Sequence, residues 1–133
     1  PFLLRPPAGA ATPAGRYELV VTRPSLPGWR SNAVPISVAP WVDPSGGPLL
    51  HASGTGVYTL VVRNVASSRA TLRLGTVELA RIASGADPDP GEWQCSGGSL
   101  ITFAAPAGTP AGSHQLSLRV ADVEADPALW AVV

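Results

Sequence analysis

Proline or glycine interrupts nearly every window of this chain long enough for three helical turns, which leaves little room for helices. The fifteen prolines and fourteen glycines are spread between apolar runs, a distribution that suits many short strands joined by turns. Period-two patterns fill the runs. In Val57 to Arg63, Tyr58, Leu60 and Val62 share one face, and in Ser113 to Val120 the same holds for Leu116, Leu118 and Val120. Similar strands are expected at residues 16–23, 33–38, 71–74, 76–82, 100–104 and 129–133, with Leu74-Gly75-Thr76 as a tight connection. Turn chemistry marks the gaps: residues 24–28, 43–48, 87–91 and 96–98.

A weak internal repeat organises these strands. Residues 2–9 (Phe-Leu-Leu-Arg-Pro-Pro-Ala-Gly) parallel residues 101–108, and Thr12-Pro13-Ala14-Gly15 recurs as Thr109-Pro110-Ala111-Gly112. Each copy continues into an alternating strand, a turn and a second apolar strand, residues 32–38 in the first copy and 127–133 in the second. The repeat predicts two units. Residues 1–39 form the terminal strands of a first immunoglobulin-like unit, and residues 40–133 form a complete immunoglobulin-like β-sandwich, so the fold class expected is all-β. With a single cysteine, Cys95, no internal disulfide forms, which removes the antibody subtype. Met is absent and Pro1 opens the chain, so a processed product or a piece of a longer protein is expected, with the first unit's missing strands lost by truncation.

Charge excludes some partners. The nine basic residues are all Arg and are balanced by nine acidic ones, so there is no basic excess for a nucleic-acid backbone, and no apolar run approaches the ~18 residues of a membrane span. Catalysis is expected to be absent. His51 and His114 are far apart in sequence, and Cys95 has no neighbouring His or Lys to lower its pKa. Asp87, Asp89 and Glu92 flank prolines in a loop that offers too few carboxylates for a calcium site, so no metal and no cofactor are expected.

An interface is the remaining chemistry. Arg63, Arg73 and Arg119 fall at polar-facing strand positions, and Asp122, Glu124 and Asp126 share one face if a strand runs through them, so the two sets could meet across a subunit boundary. Trp29 and Trp93 lie in turn-rich segments and are the expected exposed anchors, whereas Trp41 is placed at the junction of the units and Trp130 in the core.

Four stretches carry a family resemblance. Residues 13–21 (Pro-Ala-Gly-Arg-Tyr-Glu-Leu-Val-Val), followed by residues 31–40 (Ser-Asn-Ala-Val-Pro-Ile-Ser-Val-Ala-Pro), resemble the end of an IPT/TIG-type immunoglobulin-like domain. Together with Leu74-Gly75-Thr76-Val77-Glu78-Leu79 and the close from Leu118 to Trp130, the order resembles the C-terminal region of the cap (tail-terminator) proteins of contractile injection systems. The resemblance implies a phage-tail-like particle, assembled in the cytoplasm or released, whose cap closes the tube and sheath in a homo-oligomeric ring. No residues here match that family's N-terminal tube-engaging domain, so the implied role is an accessory structural module that contacts sheath, tube or cap neighbours, and no catalytic residue comes with it. The alternative expectation is a carbohydrate-binding or spacer module of a secreted or surface protein, with Trp29 and Trp93 stacking on sugars.

Overall fold

The computed structural model describes residues 13–63, 65, 69–125 and 128–133. Among these there is no helix, and the strands are β1 (Gly15–Leu19), β2 (Val34–Val38), β3 (Trp41–Val42), β4 (Leu49–His51), β5 (Val57–Arg63), β6 (Ala70–Leu74), β7 (Val77–Glu78), β8 (Ala80–Arg81), β9 (Glu92–Ser96), β10 (Leu100–Ala104), β11 (Ser113–Val120), β12 (Val123–Glu124) and β13 (Leu129–Val132). They form three sheets: the β1–β2 hairpin, a five-stranded sheet ordered β3-β5-β10-β9-β8, and a six-stranded sheet ordered β4-β13-β11-β6-β7 with β12 beside β11. The two larger sheets share one apolar core, a β-sandwich-like arrangement.

Alternation builds that core. Tyr58, Leu60 and Val62 of β5 and Ile101 and Phe103 of β10 point inward from one sheet, and Leu72, Leu74, Leu116, Leu118, Val120, Leu129 and Ala131 from the other. Tyr58 and Phe103 are opposite one another in register, and their rings stack at 4.7 Å with an 8° interplanar angle. The Tyr58 hydroxyl donates to the Val132 carbonyl at 2.7 Å, tying β5 of one sheet to β13 of the other. A polar tip in an apolar layer is tolerated because it finds this acceptor.

Two connections rest on glycines at positive φ. Leu74 pairs with Val77 across the two-residue loop Gly75-Thr76, and Gly75 at φ 59° supplies the positive first position of a II′-type hairpin. The β9–β10 turn uses Gly97 and Gly98 at φ 59° and 68°. The expected strand over 76–82 is instead split into β7 and β8, because Leu79 between them turns into the core at 3% exposure.

Trp93 overturns its expected place. It lies on β9 at 1% exposure rather than in a loop, because β9 alternates Glu92 and Gln94 outward with Trp93 and Cys95 inward. The turn clusters on both sides hid a five-residue strand. The Arg81 guanidinium lies 5.0 Å from the Trp93 ring centroid, at the position where the two residues pair across β8 and β9. Gln94 pins the preceding loop by accepting from Gly85 N–H at 2.9 Å and donating to the Ala86 carbonyl at 2.7 Å.

The repeat has a structural counterpart within the described residues; its copy at residues 2–9 lies outside them. Gly15 faces Val38, the last residue of β2, and Gly112 exchanges both backbone hydrogen bonds with Val133 just past β13. In each copy the side chain four residues after the Pro of Pro-Ala-Gly folds back onto that Pro. The Tyr17 hydroxyl donates to the Pro13 carbonyl at 2.7 Å, and His114 Nε2 bonds the Pro110 carbonyl at 2.8 Å. Ala14 joins the main core, whereas Val21 and Val34 of the hairpin are more than half exposed at 55% and 53%.

Candidate protein-binding surface

The strand registers set which side chains share the outer face of the six-stranded sheet. Trp130 pairs with Gln115 on one side and Leu49 on the other, Ser117 pairs with Arg73, and Arg73 with Glu78. Leu129 and Ala131 take the inward positions of β13, so Trp130 alternates outward. Trp130 is therefore 41% exposed beside Leu49 at 45%, and its expected place in the core is corrected. An exposed Trp against an exposed Leu gives the face an apolar end.

The other end is polar and internally paired. The Glu124 carboxylate accepts from Ser117 Oγ and from Arg119 Nε, each at 2.6 Å, and Arg73 Nη2 lies 3.4 Å from Glu78 Oε2. The hydrogen bond and charge of Glu124 push the Arg119 guanidinium above its ordinary pKa. All four side chains in these ion pairs are about half exposed, so the pairs add little stability, but they fix where the charges stand. Between them is an open concavity of about 390 Å³ lined by Arg73, Gln115, Ser117, Arg119, Glu124 and Ala128.

The strand expected to carry the acidic stripe across 122–126 does not run through Asp122. Ala121 and Asp122 both have positive φ, 50° and 64°, and make the two-residue turn that reverses β11 into β12. Asp122 therefore sits on a turn and Glu124 on a strand paired back to Arg119, while Asp126 is outside the described residues. The chain's own arginine has taken the carboxylate assigned to a neighbour.

The remaining candidates are dispersed. Arg63 belongs to the five-stranded sheet, with its guanidinium 4.7 Å from the centroid of the Trp41 ring, so it does not join Arg73 and Arg119. Trp29 is exposed at 46% in the long β1–β2 connection. Cys95 is half-buried on β9, and its burial, outweighing the opposing charge of Arg81, raises its thiol pKa and so disfavours the reactive thiolate. Among the described residues neither histidine hydrogen-bonds a hydroxyl or thiol, and no three His, Cys, Asp or Glu side chains gather. Glu92 is engaged locally, accepting from the Asp89 N–H at 3.1 Å.

Of the residues on this face, the sequence reading singled out Arg73, Arg119 and Glu124 but not Trp130 and Leu49, its apolar end. The run Leu129-Trp130-Ala131 carries no signal by itself, because every residue in it is apolar and a face is assigned only once the strand pairing places Leu129 and Ala131 inward. No protein-family model matches the chain, and no curated protein is significantly similar to it in sequence.

Proposed function

We propose that this chain is a non-enzymatic, immunoglobulin-like protein-binding module that contacts other subunits of an assembly through the outer face of its six-stranded sheet. Strand order supports the finer fold reading: β3-β5-β10-β9 and β13-β11-β6 stand in the relation of the ABED and GFC sheets of an immunoglobulin-like sandwich. A second support is the bond from Tyr17 near the start of β1 to the backbone upstream, the geometry of a tyrosine corner on strand F. On this reading β1 and β2 are strands F and G of a first unit, and His114 takes the tyrosine's part in the second.

The observation that carries the function is Trp130, held on a paired strand yet exposed, with Leu49 beside it and pre-positioned charges a few residues away. Rigid aromatic anchors flanked by polar groups are where binding energy concentrates. The assembly we propose, on the motif resemblance, is a contractile injection system particle, with this module as an accessory part of its ring-forming cap protein and sheath, tube or cap neighbours as partners. A sugar-binding platform is less well served, because Trp93, half of the Trp pair it required, is inside the core.

The test is co-sedimentation of the chain with purified cap, tube and sheath subunits. Binding should weaken at least about tenfold in Trp130→Ala. Binding unaffected by Trp130→Ala and by Leu49→Ala, or retention on polysaccharide alone, overturns the reading.

A further inference from the structure

A second surface lies at the tip of the β1–β2 hairpin, built from different residues. Its loop is ordered by its own backbone: Leu26 N–H bonds the Arg23 carbonyl at 3.1 Å, Trp29 N–H the Leu26 carbonyl at 3.0 Å, and Ser31 N–H the Val21 carbonyl at 2.9 Å. The Ser31 hydroxyl accepts from Val21 N–H at 3.0 Å and donates to the Asn32 carbonyl at 2.9 Å, closing the neck of the loop, where Thr22 bridges Arg30. Pro24 and Pro27 hold φ near the value these turns need, and Gly28 supplies φ 82°. This loop is stiff for its length.

Its exposed chemistry is one-sided. Trp29 (46% exposed) and Leu26 (47%) offer apolar surface around an open concavity of about 550 Å³, and the Arg23 guanidinium stands 5.9 Å from the Trp29 ring centroid. Arg30 lines the same concavity. Among the described residues neither Arg23 nor Arg30 is in an ion pair, and the sequence contains no acidic residue between Glu18 and Asp43. Elsewhere in the sandwich Arg73 and Arg119 each meet a carboxylate of the same chain. Two guanidiniums beside an exposed Trp, with no carboxylate paired to them among the described residues, complement carboxylates flanking an apolar side chain.

We propose that this tip docks an acidic segment of another protein, whose carboxylates meet Arg23 and Arg30 while an apolar side chain fills the concavity against Trp29 and Leu26. The ordered loop meets such a segment with little entropy left to lose. The site is independent of the Trp130 face, so each can fail alone.

The experiment is selection of a random-peptide phage library on the intact chain, with recovered peptides synthesised and titrated by fluorescence anisotropy. Acidic peptides with a central apolar residue should be enriched, and Arg23→Gln, Arg30→Gln and Trp29→Ala should each weaken them about tenfold or more, with Trp130→Ala binding as the parent does. These positions are exposed, and thermal denaturation of each variant checks that it folds as the parent does. The proposal is overturned if no recovered peptide depends on Trp29, or if the enriched peptides are basic or uncharged. Sedimentation of the chain with phosphatidylserine vesicles through the same three residues would overturn it as well, since the surface would then be a lipid site.

Discussion

Four tryptophans in one chain take different roles, and the backbone decides which. Trp93 fills the core from β9, so Trp93→Ala should cost about 3–5 kcal/mol, read as a lowered midpoint in urea denaturation. Trp130→Ala, on an outward position, should change stability by less than about 1 kcal/mol while removing binding. Composition offered no way to tell them apart: Trp93 alternates with Glu92 and Gln94, but Trp130 lies in an unbroken apolar run from Ala128 to Val133, where only the pairing register assigns a face. Tyr58 makes a second residue-level prediction. Burial raises its pKa above the ordinary value of 10, so the fold favours the neutral phenol. The associated stability is fully present below pH 10 and is lost as pH rises further, since the unfolded state ionises first. Tyr58→Phe should therefore flatten the alkaline fall in stability measured above pH 10, while losing about 1 kcal/mol at neutral pH with the Val132 hydrogen bond.

At the scale of elements, long alternating strands were legible and short ones were not. Strands β5, β10 and β11 have the limits that period two predicts, because each has enough apolar positions on one face to make the pattern unambiguous. Strands β3, β4 and β12 have two or three residues each and exist only through their neighbours' ladders, so no local pattern announces them. β9 was legible in principle from Glu92-Trp93-Gln94-Cys95, but the proline and glycine clusters around it read as one long loop. The acidic stripe failed for a related reason: Ala121 is a poor residue for positive φ, so nothing in the sequence advertised a turn there. The Pro-Ala-Gly repeat, in contrast, read out as matching geometry in β1 and β11. Its energetic content is testable, because removing the bond between the His114 ring and Pro110 by His114→Ala should cost about 0.5–1.5 kcal/mol, and Tyr17→Phe should speed amide exchange along β1–β2.

For the molecule as a whole, two open sheets bury a continuous core and leave two chemically distinct surfaces, one a sheet face with Trp130 at its apolar end and ion pairs at the other, one a stiff positively charged tip around Trp29. The candidate site was half legible: its charges could be read from strand position, but its aromatic anchor could not, and one expected carboxylate partner proved to be internal. Binding through the Trp130 face is the central claim, and hydroxyl-radical footprinting of the chain free and bound to the particle subunits addresses it most directly. Trp130 should be oxidised readily in the free chain and protected in the complex, with Trp93 unreactive in both states. Equal oxidation of Trp130 free and bound would contradict it.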